Sequence, residues 1–163
     1  MTNVIVEVSK FLMMILFALY TFECFAAFRR KISNEKRARI FKRQVFFLYL
    51  IHLDGYLSIY AVTDEIQIVI LYFLEVVLIT VLLGNYQLLY PNASRLVTNN
   101  MCMLLVVGFL MLTRLSYEKA IRQYIFAIVS TIIIFVVPVL IRKAKFLRKL
   151  TWLYAVVGIA GLA

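Results

Sequence analysis

At 163 residues, 64% of them hydrophobic, this chain is too apolar for a water-soluble domain, which is about 45–50% apolar; its mean hydropathy is +0.95. On a soluble protein the net charge of +10 would suggest nucleic acid, but here the cations fall between hydrophobic runs and follow the positive-inside rule, so no nucleic-acid partner is expected. Cys24 and Cys102 form no disulfide framework, no metal-ligand spacing is visible, and neither a metal nor another cofactor is expected.

The apolar runs are continuous, and each approaches the ~20 residues that cross a ~30 Å hydrocarbon core as a helix. In lipid the backbone must satisfy its own hydrogen bonds, so helices are the expected element. The first run, 4–28, carries Glu7 and Lys10 rather than a basic cluster near its start and ends in a strongly basic loop. That order reads as a retained span, not a signal peptide. The loop from Arg29 to Arg43 serves either as a topology determinant or as a surface for anionic head groups, where each cation contributes about 1 kcal/mol. Runs two and three, 44–62 and 66–89, join through the acidic turn Asp64-Glu65. The fourth is 96–113 and the fifth 123–141, with Pro138 expected to kink its inner end. The sixth, 150–163, covers about 21 Å at 1.5 Å per residue and is expected to be cut short. The fold class that follows is all-α integral membrane: a polytopic bundle of about six hydrophobic helices, the last one truncated.

Orientation comes from the cations. One set of loops holds the clusters Arg29 to Arg43 and Arg142 to Lys149, with Arg95 between them; the other holds only Lys10, Arg114, Lys119 and Arg122. The first side is expected to be cytoplasmic, which places the N-terminus outside and makes the fourth segment run outward. Asn92-Ala93-Ser94 has the form of a glycosylation acceptor but falls on the cytoplasmic side of this topology.

Ionisable groups inside a membrane are functional candidates. Glu23 lies near the cytoplasmic end of its helix, within snorkelling reach of Arg29 or Arg30, and reads as structural. His52 and Asp54 fall near the middle of the second span and point to different helix faces. Glu75 is near the middle of the third. Asp54 and Glu75 either face each other and share a proton, which would open a proton relay, or act separately, each protonated and hydrogen-bonded to a neighbouring helix. The second alternative is preferred, because no intramembrane cation partners them. Ala155, Gly158 and Gly161 give the sixth segment a small-residue strip for close packing. No catalytic set can be assembled from these residues.

The second half carries a more specific pattern. Leu104 to Gly108 is followed by Met111-Leu112-Thr113-Arg114-Leu115, a short outer loop with Ala120, then Arg122-Gln123 opening the next helix. Pro138 and a basic turn from Arg142 to Lys149 come next, and Trp152-Leu153-Tyr154 opens a further helix. This order resembles the start of the SEDS family (shape, elongation, division and sporulation), the FtsW/RodA/SpoVE group of cell-wall polymerases. The resemblance covers about residues 99–163, and the family's first helix also runs from inside to outside. Residues 1–98 then form a three-helix N-terminal extension, similar to a longer-headed subgroup that opens like the stretch from Tyr20 to Arg29.

The resemblance implies a peptidoglycan glycosyltransferase of the bacterial cytoplasmic membrane, acting in cell division, cell shape or sporulation. Such an enzyme joins lipid-linked disaccharide-pentapeptide units outside the membrane, beside a class B penicillin-binding protein. The family's catalytic aspartate lies later in the fold, so no catalytic residue carries over and this chain alone is expected to be inactive. Because the substrate's pyrophosphate reacts on the outer face, Arg114 and Arg122 become candidate substrate contacts, Arg being suited to bidentate phosphate binding. The plainer alternative has both arginines anchoring helix ends, with Arg122 pairing to Glu118 four residues before it. A self-contained membrane scaffold and a transporter subunit using Asp54 and Glu75 are the competing functions.

Overall fold

The computed structural model describes residues 2–29 and 32–143. They form five helices: α1 (Thr2–Ala27), α2 (Asn34–Thr63), α3 (Ile66–Leu89), α4 (Arg95–Leu115) and α5 (Tyr117–Lys143). All five are long and apolar enough to cross a membrane, and no strand occurs among the described residues. The chain is therefore an all-α, multi-pass membrane protein. The sixth segment, with its small-residue strip, lies outside the described residues. Pro138 falls within α5.

The third segment has the expected bounds, and the first and fourth agree to within two residues of theirs. The second does not: α2 begins at Asn34 rather than at residue 44. Ser33 caps it, its hydroxyl accepting from the Lys36 N–H at 3.4 Å, and Glu35 stands in the positively polarised first turn. Most of the expected basic loop is thus helix. At 1.5 Å per residue α2 is about 45 Å long, some ~15 Å more than a hydrocarbon core. The fifth also starts early, at Tyr117, because Ser116 alone separates it from α4. Ser116 closes α4 by donating its N–H to the Leu112 carbonyl at 2.8 Å, and its own carbonyl accepts from the Ala120 N–H at 3.1 Å.

The link from α2 to α3 is equally short. Asp64 ends α2 at φ 53°, the left-handed region that aspartate tolerates better than most residues, and its N–H reaches the Tyr60 carbonyl at 2.8 Å. Tyr90-Pro91-Asn92-Ala93 turns the chain from α3 to α4 with proline in the second position, where its fixed φ suits the turn.

Residues Met1–Ile125 form one compact unit, and a second begins at Phe126. In the first, α2 packs against α1, α3 and α4. α1 turns Ser9, Leu16, Tyr20, Glu23 and Ala27 inward, spacings of three, four and seven residues that make one stripe. Phe11, Phe22, Phe73 and Leu104 point outward, as lipid-facing residues must. Gly55 lets α2 approach α4 closely: a Cβ there would lie 2.5 Å from Leu110 Cδ2. In the second unit the Thr131 hydroxyl returns to the Ala127 carbonyl at 2.7 Å.

Candidate functional site

Lipid supplies no hydrophobic drive for helices to associate, so close packing and interhelical hydrogen bonds must hold this bundle. The buried polar residues are arranged for that purpose, in two seams. The first lies in the half of the bundle nearer the chain's N-terminus. Glu75 on α3 and His52 on α2 are both fully buried and meet at 2.9 Å, His52 Nε2 to Glu75 Oε2. One proton lies on that line, whichever atom carries it. The Tyr56 hydroxyl donates to Glu75 Oε1 at 2.7 Å and lies 3.0 Å from the Thr113 hydroxyl on α4. With Tyr56's single proton committed to Glu75, Thr113 is the donor in the last bond. The chain Thr113–Tyr56–Glu75–His52 thus joins three helices, and Tyr72 stacks beside it, 4.9 Å from the His52 ring.

The second seam lies toward the basic ends of the helices. The Asn99 amide donates to Gln44 Oε1 at 2.9 Å and to the Phe41 carbonyl at 3.3 Å. Gln44 Nε2 donates to Cys24 Sγ at 3.7 Å, and Asn100 Oδ1 accepts from both Cys24 Sγ, at 3.3 Å, and the Tyr20 hydroxyl, at 2.8 Å. This seam joins α1, α2 and α4. With the Ser9–Asp54 and Tyr49–Thr80 bonds, the seams give the helix directions: α1 and α3 run antiparallel to α2, and α4 runs parallel to it.

These placements answer the residues picked out by sequence. His52 and Asp54 do point to different faces. Asp54 does not face Glu75; its Oδ2 accepts from the Ser9 hydroxyl on α1 at 3.0 Å, while Glu75 turns to His52 and Tyr56. The arrangement is the separate one, each carboxyl bonded to a neighbouring helix. Glu75 does have a basic side chain as its partner, His52. Glu23 is buried, but its partner is Arg43 of α2, Nε to Oε1 at 3.1 Å, and not Arg29 beyond the end of α1; Arg30 lies outside the described residues. Helix pairing brings in a cation from the next helix that spacing along α1 cannot show. Arg114 and Arg122 are both exposed, and no ion pair joins Arg122 to Glu118 among the described residues.

Tyr56, Thr113, Gln44 and Asn99 were not singled out by sequence. The signal available was their polarity within apolar runs, since a buried amide or hydroxyl in lipid needs a partner. Cys102 is fully buried and behaves as a small core residue, whereas Cys24 is half-buried within the second seam.

Chemically, the Glu75 seam is sealed. His52 and Glu75 are entirely inaccessible, and an apolar crevice of about 180 Å³, lined by Leu57, Tyr60, Val69 and Phe73, abuts Tyr56 and Tyr72. Among the described residues His52 Nδ1 has no hydrogen-bond partner. Among the described residues no group of three or more His, Cys, Asp or Glu is placed to hold a metal ion. A larger cavity, about 540 Å³, lies between α1, α2 and α4 and carries Lys10 and Arg114 in its wall. Comparison with family models, with curated proteins and with solved structures finds no match to this chain.

Proposed function

We propose that this chain is the N-terminal membrane portion of a SEDS-type peptidoglycan glycosyltransferase serving bacterial cell division, cell shape or sporulation. The observation that carries the reading is the ordered run of motifs from Asn99 onward. Support comes from the charge pattern, which independently gives α4 the inside-to-outside direction of the family's first helix. In this reading the chain sits in the bacterial cytoplasmic membrane with its N-terminus outside. Helices α1 and α2 clamp the helix that opens the family fold, through Gln44–Asn99, Tyr20–Asn100 and Tyr56–Thr113. The whole enzyme acts on the lipid-linked disaccharide-pentapeptide beside a class B penicillin-binding protein, and this chain contributes no catalytic residue. A transporter built on Asp54 and Glu75 is disfavoured, because the two carboxyls bond to different partners.

Two measurements test this. In intact cells a cysteine at Lys119 should react with an impermeant thiol reagent and one at Lys36 should not; the reverse pattern overturns the orientation. In a polymerisation assay on lipid-linked disaccharide, a full-length protein containing this chain should make glycan strands and this chain alone should not. Strands from the chain alone, or none from the full-length protein with its penicillin-binding partner, overturn the function.

A further inference from the structure

The cavity between α1, α2 and α4 carries two cations in a largely apolar wall. Val62, Thr63 and Arg114 stand at the helix ends, and the lining descends to Gly55 and Val107, about 12 Å deeper at 1.5 Å per residue. Among the described residues Lys10 on α1 and Arg114 on α4 are the charged ones in the wall, and no acidic one lines it. Asp54, next to Gly55 of the lining, has its Oδ2 engaged by Ser9, and Glu7, one helical turn before Lys10, is exposed and outside the lining. Deeper than Lys10 the walls are apolar, with Met13, Phe17 and Val107. The volume of about 540 Å³ falls within the ~300–1,000 Å³ of small-molecule sites.

A cation at the mouth of an apolar slot, Arg114, and a second on its wall, Lys10, match one chemistry: a phosphate group carried on a hydrocarbon chain. Arg binds phosphate through paired, charge-assisted hydrogen bonds and Lys as a point charge, and a lipid tail replaces nothing more polar than lipid along the walls. We propose that this cavity binds one anionic phospholipid, its phosphate between Lys10 and Arg114 and a chain against Met13, Phe17 and Val107. The inference stands independently of the glycosyltransferase reading, because it uses only the cavity's charges and walls. Arg122, on α5 and outside the lining, takes no part in it.

The test uses the full chain purified in a neutral detergent, with bound lipid measured by native mass spectrometry against added phosphatidylglycerol, phosphatidylcholine, or inorganic phosphate. Phosphatidylglycerol should be retained as a single copy, and Lys10→Gln with Arg114→Gln should weaken it by about tenfold or more. Arg122→Gln should leave it unchanged. These substitutions fall on exposed side chains, and circular dichroism checks that the helices persist. Equal loss with Arg122→Gln would mean general surface attraction and would overturn the site. So would equal retention of phosphatidylcholine, or unchanged binding in the double variant. Inorganic phosphate competing as well as the lipid would overturn the role of the apolar walls.

Discussion

The two polar seams hold the same bundle by different means. The seam around Glu75 is built on an ionisable pair with no exposed surface at all, and it reaches α2, α3 and α4. The seam around Asn99 is built on amides, a thiol and a phenol, reaches α1, α2 and α4, and is flanked by an ion pair whose arginine side chain is 59% exposed. Neutral groups that lose a partner are left with an unmet hydrogen bond. An ionisable group that loses its partner is left with a charge, or with a proton it must take up, in a medium that solvates neither. The first seam should therefore be brittle and the second tolerant.

Glu75→Leu should have the largest effect. It removes two bonds at once and strands His52, for an expected loss of about 2–3 kcal/mol, above the ~0.6 kcal/mol average of single membrane hydrogen bonds. Reversible unfolding in mixed micelles measures it. Adding His52→Leu to the same chain should recover part of the loss, because removing both partners leaves no buried charge. A double variant less stable than Glu75→Leu alone would contradict the brittle-pair account.

Asn99→Leu should cost about 1 kcal/mol in the same assay, with Gln44 keeping its bond to Cys24. A loss as large as that of Glu75→Leu would erase the distinction between the seams. The smallest effect belongs to Arg43→Gln, within about 0–1 kcal/mol and reduced further by salt. Insensitivity of Asn99→Leu to salt, beside a salt-dependent Arg43→Gln, would sharpen the contrast between a buried amide and a surface charge.

Much of this fold is legible in hydropathy, and the failures have physical causes. The run 66–89 coincides with α3 because its lipid-facing and bundle-facing sides are both apolar. The start of α2 escapes hydropathy because Asn34 to Arg43 is a polar helix standing beyond the hydrocarbon; the Ser33 cap was the signal for it. Within the candidate site, helical spacing separates the faces of His52 and Asp54, since that is a property of one helix. It says nothing about which neighbour each face meets. Glu75 pairs with His52, and Glu23 with Arg43, through the relative depth of two helices. Between α2 and α3 that depth is set by the tight Asp64 turn.

The unbroken length of α2, from its Ser33 cap to Asp64, ties rotation at one end to rotation at the other. His52, Tyr56 and Gln44 fix the helix about its axis inside the membrane, so the azimuth of Lys36, Arg37 and Arg39 outside it is fixed as well. One residue inserted between Arg39 and Gln44 would turn those cations by about 100° relative to the bundle while leaving every buried bond of Gln44, His52 and Tyr56 in place. The charged overhang is thus a pointer whose bearing is set from within the lipid.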